Sequence, residues 1–319
     1  MNNKHILPDI PETPTGEKEP HPIRKHLLFL IKFIIMIGVF WLVFNKIDID
    51  KLSEHLKNIP VIYIIMAVIF LNAAQLTSGL RMRYYFSSIE HKFNVIFSVT
   101  LYYVGAFYSI ILPGGISGDG YKAYILKKIR NIPVKSSLRL VICERANGLF
   151  MLCFLALVYA IPSEGKNITE YGNILIAIGF LVLIPGYFIS AKVILRDPVK
   201  IAFGASKYSF ASQIFVSLCA ASLFLGIGVE MNNMADYLVI FMISSIMSIL
   251  PISVGSAGVR EATFLYIIEF LNKEGFTSLN VEIGVAAALA YFGVHVITSL
   301  VGIFFLNKLD KFSKHKEES

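Results

Sequence analysis

The fold class this sequence predicts is an all-α integral membrane protein, with about six spanning helices and two re-entrant broken-helix hairpins in an inverted-topology repeat. Three observations predict it. The 319 residues are 55% hydrophobic and only 16% charged, with a mean hydropathy of +0.66, whereas soluble domains are about 45–50% apolar. Apolar runs near 27–47, 60–80, 138–161, 172–195, 209–229 and 283–307 are long enough for a hydrocarbon core of roughly 30 Å, which takes about 20 helical residues to cross. Finally, Leu112-Pro113-Gly114-Gly115-Ile116-Ser117-Gly118-Asp119-Gly120-Tyr121-Lys122 aligns without a gap on Leu250-Pro251-Ile252-Ser253-Val254-Gly255-Ser256-Ala257-Gly258-Val259-Arg260. Leu-Pro falls on Leu-Pro, Gly120 on Gly258 and Lys122 on Arg260, as in the duplicated broken helices of transporter cores.

Taken in order, residues 1–26 carry Pro8, Pro11, Pro14, Pro20 and Pro22 among polar residues and read as a disordered cytoplasmic tail. The run from Leu27 follows Arg24, Lys25 and His26 but lacks a small-residue cleavage pattern, so it is expected to stay as an anchor. Residues 27–307 form one polytopic domain, with repeat one at about 60–161 and repeat two at about 209–307, and 308–319 form a basic cytoplasmic tail. Short basic loops stay in the cytoplasm. The connections at 24–25, Arg81 to Lys92, Lys122 to Arg139, Lys192 to Lys207 and 308–316 therefore face inward. Those at Asp48 to Lys57, Glu164 to Glu170, Glu230 to Asp236 and Asn272 to Glu282 face outward. Both termini are then cytoplasmic and the protein sits in the inner (cytoplasmic) membrane.

With these loops placed, run 93–112 leaves the cytoplasmic side and the chain is back there by Lys127-Lys128-Ile129-Arg130; run 237–271 does the same from outside. Each hairpin is bracketed by two spans. Broken backbone at membrane depth is tolerated only under cover of protein or in a wet cavity, so the breaks are candidate substrate sites. Gly114, Gly115, Gly118 and Gly120 permit positive φ and close approach, and a helix starting at Tyr121 would aim N–H groups at an anion. The candidate substrate-binding set is Pro113, Gly114, Gly115, Gly118, Asp119, Gly120, Lys122, Glu144, Arg145, Pro251, Gly255, Gly258, Arg260 and Glu261. Glu144 and Arg145 lie inside a span, where unpaired charge is costly. Adjacent helical positions point about 100° apart, so each needs a partner elsewhere. Glu269 and His295, in apolar surroundings, are candidates for proton coupling.

Plainer roles stand beside these. Lys122 could snorkel to the interface, Arg260 and Glu261 could pair with each other, Asp119 could cap its helix, and His295 could be a hydrogen-bonded structural residue. Cys143, Cys153 and Cys219 lie in apolar runs without metal-ligand or redox spacing and read as packing residues. No metalloprotease, phosphate-loop or nucleophile-elbow motif is present, so no enzyme activity, cofactor or metal is expected. The net charge of +7 fits cytoplasmic loops facing anionic lipid and requires no nucleic acid.

The first motif with Ala123 and Tyr124, the Glu144-Arg145 pair with Gly148, and Pro251 through Glu261 together resemble the signatures of the lysylphosphatidylglycerol synthase transmembrane region, the flippase-like domain family, over about 27–307. The resemblance implies lipid handling. In the family's best-known members this region carries aminoacylated phosphatidylglycerol across the bilayer, while a separate soluble domain makes it; no such domain is expected here. The expectation is a flippase that moves or binds a lipid with an anionic phosphate headgroup, with Lys122, Arg145 and Arg260 on the phosphate. Its partners are membrane lipids, with a homo-oligomer or a separate lipid-modifying enzyme as further partners. The alternatives are a membrane-embedded transferase or accessory subunit acting on lipid-linked sugars, which would need Asp119 or Glu261 as acid or base, and an ion or small-solute transporter.

Overall fold

A backbone without water to bond must bond itself, which leaves helices as the way through a bilayer for apolar runs of this length. The computed structural model describes residues 34, 37–87, 93–111, 117–194, 199–249 and 258–314, with no strand among them. After a helical stretch at 37–44 come α1 (Ile49–Lys57), α2 (Val61–Ser87), α3 (Val95–Ile111), α4 (Ser117–Arg130) and α5 (Val134–Ala160). A 3-10 turn, Glu164–Ile168, leads to α6 (Gly172–Ile189), which carries Pro185 inside and ends in a π turn, Ser190–Ile194. Then follow α7 (Val199–Ile227), α8 (Met234–Met247), α9 (Val259–Lys273) and α10 (Val281–Lys314).

Among the described residues five helices are long and apolar enough to cross a membrane: α2, α5, α6 with its π turn to Lys192, α7 from Ile201, and α10 to Leu306. They coincide with five of the six expected spans; of the sixth, 27–47, residues 27–33 and 35–36 lie outside the described residues. α7 starts ten residues before the apolar run that announced it, because Ala202, Ala205, Ser206 and Ser209 are small, buried side chains that let its first turns pack inside the bundle.

The two shorter pairs, α3 with α4 and α8 with α9, each pack as antiparallel partners. In the first, Gly105 lies against Lys122 and also close to Gly118, and Phe97 carries Arg130 on its ring at 5.1 Å. In the second, Ser244 meets Arg260 near the break, while Asp236 and Leu271 line one crevice at the far end. α5 and α10 touch both pairs, so the space between the hairpins is walled by these two spans.

Three loop boundaries differ from the sequence expectation. The connection expected from Arg81 begins only after Ser87, because Met82, Tyr85 and Phe86 are each 1% exposed and continue the packed face of α2. Lys122 likewise lies within α4 and is buried, and Arg139 is in α5. Asp236, assigned outside, is buried in the first turn of α8. Its carboxylate accepts from Ser163 Oγ and from the backbone N–H groups of Gly165, at 2.9 Å, and Glu164, at 3.3 Å, pinning the α5–α6 connection.

Candidate functional site

Two glycines let α3 and α4 come close enough to bury a charge between them. A Cβ on Gly118 would lie 2.0 Å from the Gly105 carbonyl oxygen, and one on Gly105 would lie 2.3 Å from the Lys122 stem. The stem therefore runs across bare backbone, and its ammonium sits 4.4 Å over the Tyr102 ring. There Lys122 Nζ donates to Asp119 Oδ1 at 3.1 Å, while Arg145 Nε, from α5, donates to Asp119 Oδ2 at 2.5 Å. One carboxylate thus bridges two cations on two helices.

A second buried pair lies beside it. Arg81 Nη2 of α2 donates to Glu144 Oε1 at 3.1 Å, and Nη1 donates to Ser209 Oγ of α7 at 2.9 Å. Both side chains are under 10% exposed. Room for the guanidinium comes from Gly148, one turn past Glu144, where a Cβ would stand 3.4 Å from Nη1. Burying ions costs several kcal/mol each unless paired and hydrogen-bonded, and here α2, α5 and α7 supply partners jointly.

These groups share a cavity of about 250 Å³ lined by Arg81, Tyr102, Ala106, Ser109, Asp119, Lys122, Val141, Glu144, Arg145 and His295. Among the described residues lining it, three cations face two carboxylates, an excess of one positive charge. His295 joins the cavity to the second hairpin: its ring stacks on Tyr291 with centroids 6.3 Å apart, and Arg260 lies 4.6 Å from the same Tyr291 ring.

Arg260 has a different setting. Its Nη1 donates to Ser244 Oγ at 3.0 Å and Ser245 Oγ at 2.9 Å, and its guanidinium lies 4.6 Å from the Phe241 ring. Among the described residues no carboxylate pairs with it. Glu261, 1% exposed, turns back instead and accepts from the Gly258 N–H at 2.8 Å, closing the first turn of α9. Gly258 needs its lack of a side chain there, with φ of 84°.

Of the predicted set, the structure gathers Asp119, Lys122, Glu144, Arg145 and His295 around one cavity, with Arg260 across Tyr291 from it. Pro113, Gly114, Gly115, Pro251 and Gly255 lie outside the described residues. Several roles need correction. Gly118 and Gly120 sit inside α4, which starts at Ser117 rather than Tyr121, and neither has positive φ; Gly118 serves close helix packing, while Gly120 has open space around it. Asp119 spends its carboxylate on side chains rather than on a cap, and Lys122 does not snorkel. Arg260 and Glu261 do not pair with each other.

Glu269 is remote from the cavity. It is 39% exposed and pairs at 2.8 Å with Lys46, whose ammonium also lies 4.9 Å over Tyr266. Sequence reasoning missed Arg81, Tyr102, Gly105 and Ser209. The usable signal for Arg81 was that Met82, Tyr84, Tyr85 and Phe86 continue the apolar run beyond it.

Among the described residues no cluster of His, Cys, Asp and Glu could hold a metal ion. A comparison with curated proteins finds no match. The sequence model of one family, described as the lysylphosphatidylglycerol synthase TM region, matches residues 29–302. That match covers most of the chain, so this multi-pass membrane protein belongs to the lysylphosphatidylglycerol synthase TM region family.

Proposed function

We propose that this protein binds a lipid with an anionic, phosphate-containing headgroup and carries it across the inner membrane. The observation that carries the reading is the 250 Å³ cavity among membrane helices, where Arg81, Lys122 and Arg145 outnumber Asp119 and Glu144 by one charge. Excess positive charge among the described lining residues, in a medium of low dielectric, attracts an anion far more strongly than the same charge in water. The headgroup would enter this cavity while the tails stay in the bilayer, with Lys122 and Arg145 on the phosphate. Arg260 would offer a second phosphate contact, since among the described residues it holds hydroxyls and rings.

In this reading the α3–α4 and α8–α9 hairpins are re-entrant from opposite faces and belong to two inverted repeats, and rocking of one repeat against the other alternates access. The matched settings of Lys122 over Tyr102 and Arg260 over Phe241 support such a duplication. Both termini are cytoplasmic. Lipid transferase chemistry is less favoured by the geometry, because Asp119 is held by two cations and Glu261 caps a helix.

Native mass spectrometry of gently solubilised protein, with identification of the lipids that stay bound, tests the reading against Arg145→Ala and Arg260→Ala. Retention of one anionic lipid class by the unmodified protein and its loss from both variants is the expected result. Retained lipid that is indifferent to both arginines would overturn it.

A further inference from the structure

Asp119 occupies the place that the proposed function gives to phosphate. Its two carboxylate oxygens each take one cation, Oδ1 from Lys122 at 3.1 Å and Oδ2 from Arg145 at 2.5 Å. Two anionic oxygens on one centre, bridging an ammonium and a guanidinium, is also how a phosphodiester would bind them. The carboxylate is buried, with 6% of the side chain exposed, whereas Arg145 keeps 43% of its side chain exposed on the cavity. Asp119 and Lys122 ride on the first turns of α4, and Arg145 belongs to α5. The bridge therefore ties hairpin to span.

We propose that Asp119 is a built-in surrogate anion that holds the site closed between substrates, and that a phosphate group bearing one net negative charge displaces it from Lys122 and Arg145. This rests on the reading of the cavity as a phosphate site and adds how the site is regulated. The charge count favours a single negative charge. Among the described residues that line the cavity, Lys122 and Arg145 carry one positive charge net of Asp119 and two once it is withdrawn, and Arg81 remains neutralised by Glu144 in either case. A monoanionic phosphodiester restores the resting charge. It also frees the first turn of α4 from α5, so occupancy and hairpin position become linked, as a ligand that favours one of two states requires. Glu144 is unsuited to the role. Its partner Arg81 is also anchored to Ser209, so that pair joins three spanning helices and leaves both hairpins out.

The test is binding of a short-chain phosphatidylglycerol by purified protein in detergent, with inorganic phosphate and a short-chain phosphatidylcholine as parallel probes. Asp119→Asn, Asp119→Ser, Arg145→Ala and the Asp119→Asn/Arg145→Ala double variant are compared with the unmodified chain, each first checked for monodispersity. Removing a competing negative charge from the site should tighten phosphatidylglycerol binding by about tenfold or more in Asp119→Asn. Asp119→Ser should behave alike, so a folding failure of one variant leaves the other to decide. The gain should be absent for phosphatidylcholine and lost in the double variant. A gain for inorganic phosphate as large as for the lipid would support the surrogate role and assign the site to free phosphate. Unchanged or weaker binding in both Asp119 variants, with Arg145→Ala still weakening it, would overturn the surrogate role and leave the phosphate site standing. Binding that ignores Arg145 in every arm would overturn both.

Discussion

Lys122 on α4 and Arg260 on α9 occupy matching positions of the two hairpins, and each lies over an aromatic ring from the first helix of its own hairpin. Tyr102 is 4.4 Å from the Lys122 ammonium and Phe241 is 4.6 Å from the Arg260 guanidinium. Their counter-charges differ. Asp119 stands three residues before Lys122, where the aligned residue before Arg260 is Ala257; Glu261 follows Arg260, where the first hairpin has Ala123. Moving the acid from one side of the cation to the other changes its use, since Asp119 bridges cations and Glu261 closes a helix start. The packing differs in the same sense. The second hairpin is part of the main core, with Phe241, Phe264, Leu265 and Ile268 fully buried, while α3 and α4 build a smaller core with the end of α2. The two hairpins therefore sit in different cores, the one with the bridged charge in the smaller and the one with Arg260 in the larger.

The largest effect expected on this comparison comes from breaking the fixed ion pair beside the first hairpin. Arg81→Ala leaves Glu144 charged and buried with no partner, at a cost of about 3–5 kcal/mol. Thermal unfolding of the purified protein in detergent should show it as a large fall in midpoint, and Arg81→Leu combined with Glu144→Leu should recover most of the loss. A small effect of the single substitution would mean that Glu144 is not buried as a charge, and the contrast between anchored and movable pairs would fail.

Next in size is the close approach of α3 and α4. Gly118→Ala sets a methyl carbon 2.0 Å from the Gly105 carbonyl oxygen, which forces the hairpin open at a cost of about 1–3 kcal/mol. Gly120→Ala meets no atom within 4 Å and adds a better helix former, so it should be neutral or stabilising by up to about 1 kcal/mol. The unfolding midpoint should fall in Gly118→Ala and hold or rise in Gly120→Ala; equal losses would show that the tight packing is not at Gly118.

That pair of glycines also shows where sequence reading stops. Spans were legible because length and apolarity are local properties, and the Lys122 and Arg260 slots were legible because the two motifs align residue by residue. What Gly118 does was not: a glycine's freedom to turn and its freedom to pack leave the same letter, and only the position of Gly105 across the hairpin decides. Arg81 was hidden for another reason. A cation near the end of an apolar run, followed closely by Arg83, satisfies the rule for cytoplasmic loops, and its partner Glu144 stands 63 residues away. Likewise the sequence required partners for Glu144 and Arg145 but had no means of naming Arg81 and Asp119.

A smaller effect should follow at the second hairpin. Glu261→Ala leaves the Gly258 N–H buried and unbonded at the start of α9, a cap loss of about 1–2 kcal/mol. If Glu261 is only a cap, lipid retention at saturating lipid should be unchanged once the protein is held below its lowered midpoint. A loss of retention at that temperature would make Glu261 part of the binding chemistry and narrow the difference between the hairpins.

The smallest effect is expected at Glu269, which lies on the same helix as Arg260 yet serves neither the cavity nor the core. It pairs with Lys46 in the open, at 2.8 Å with both side chains about 40% exposed, and exposed pairs of this kind contribute little. Glu269→Gln should therefore leave the unfolding midpoint unchanged and any pH dependence of lipid movement in reconstituted vesicles untouched. His295, which does line the cavity, is the discriminating partner: His295→Gln altering that pH dependence while Glu269→Gln does not would place proton sensitivity between the hairpins. The reverse result would move it to the exposed pair with Lys46, away from the cavity.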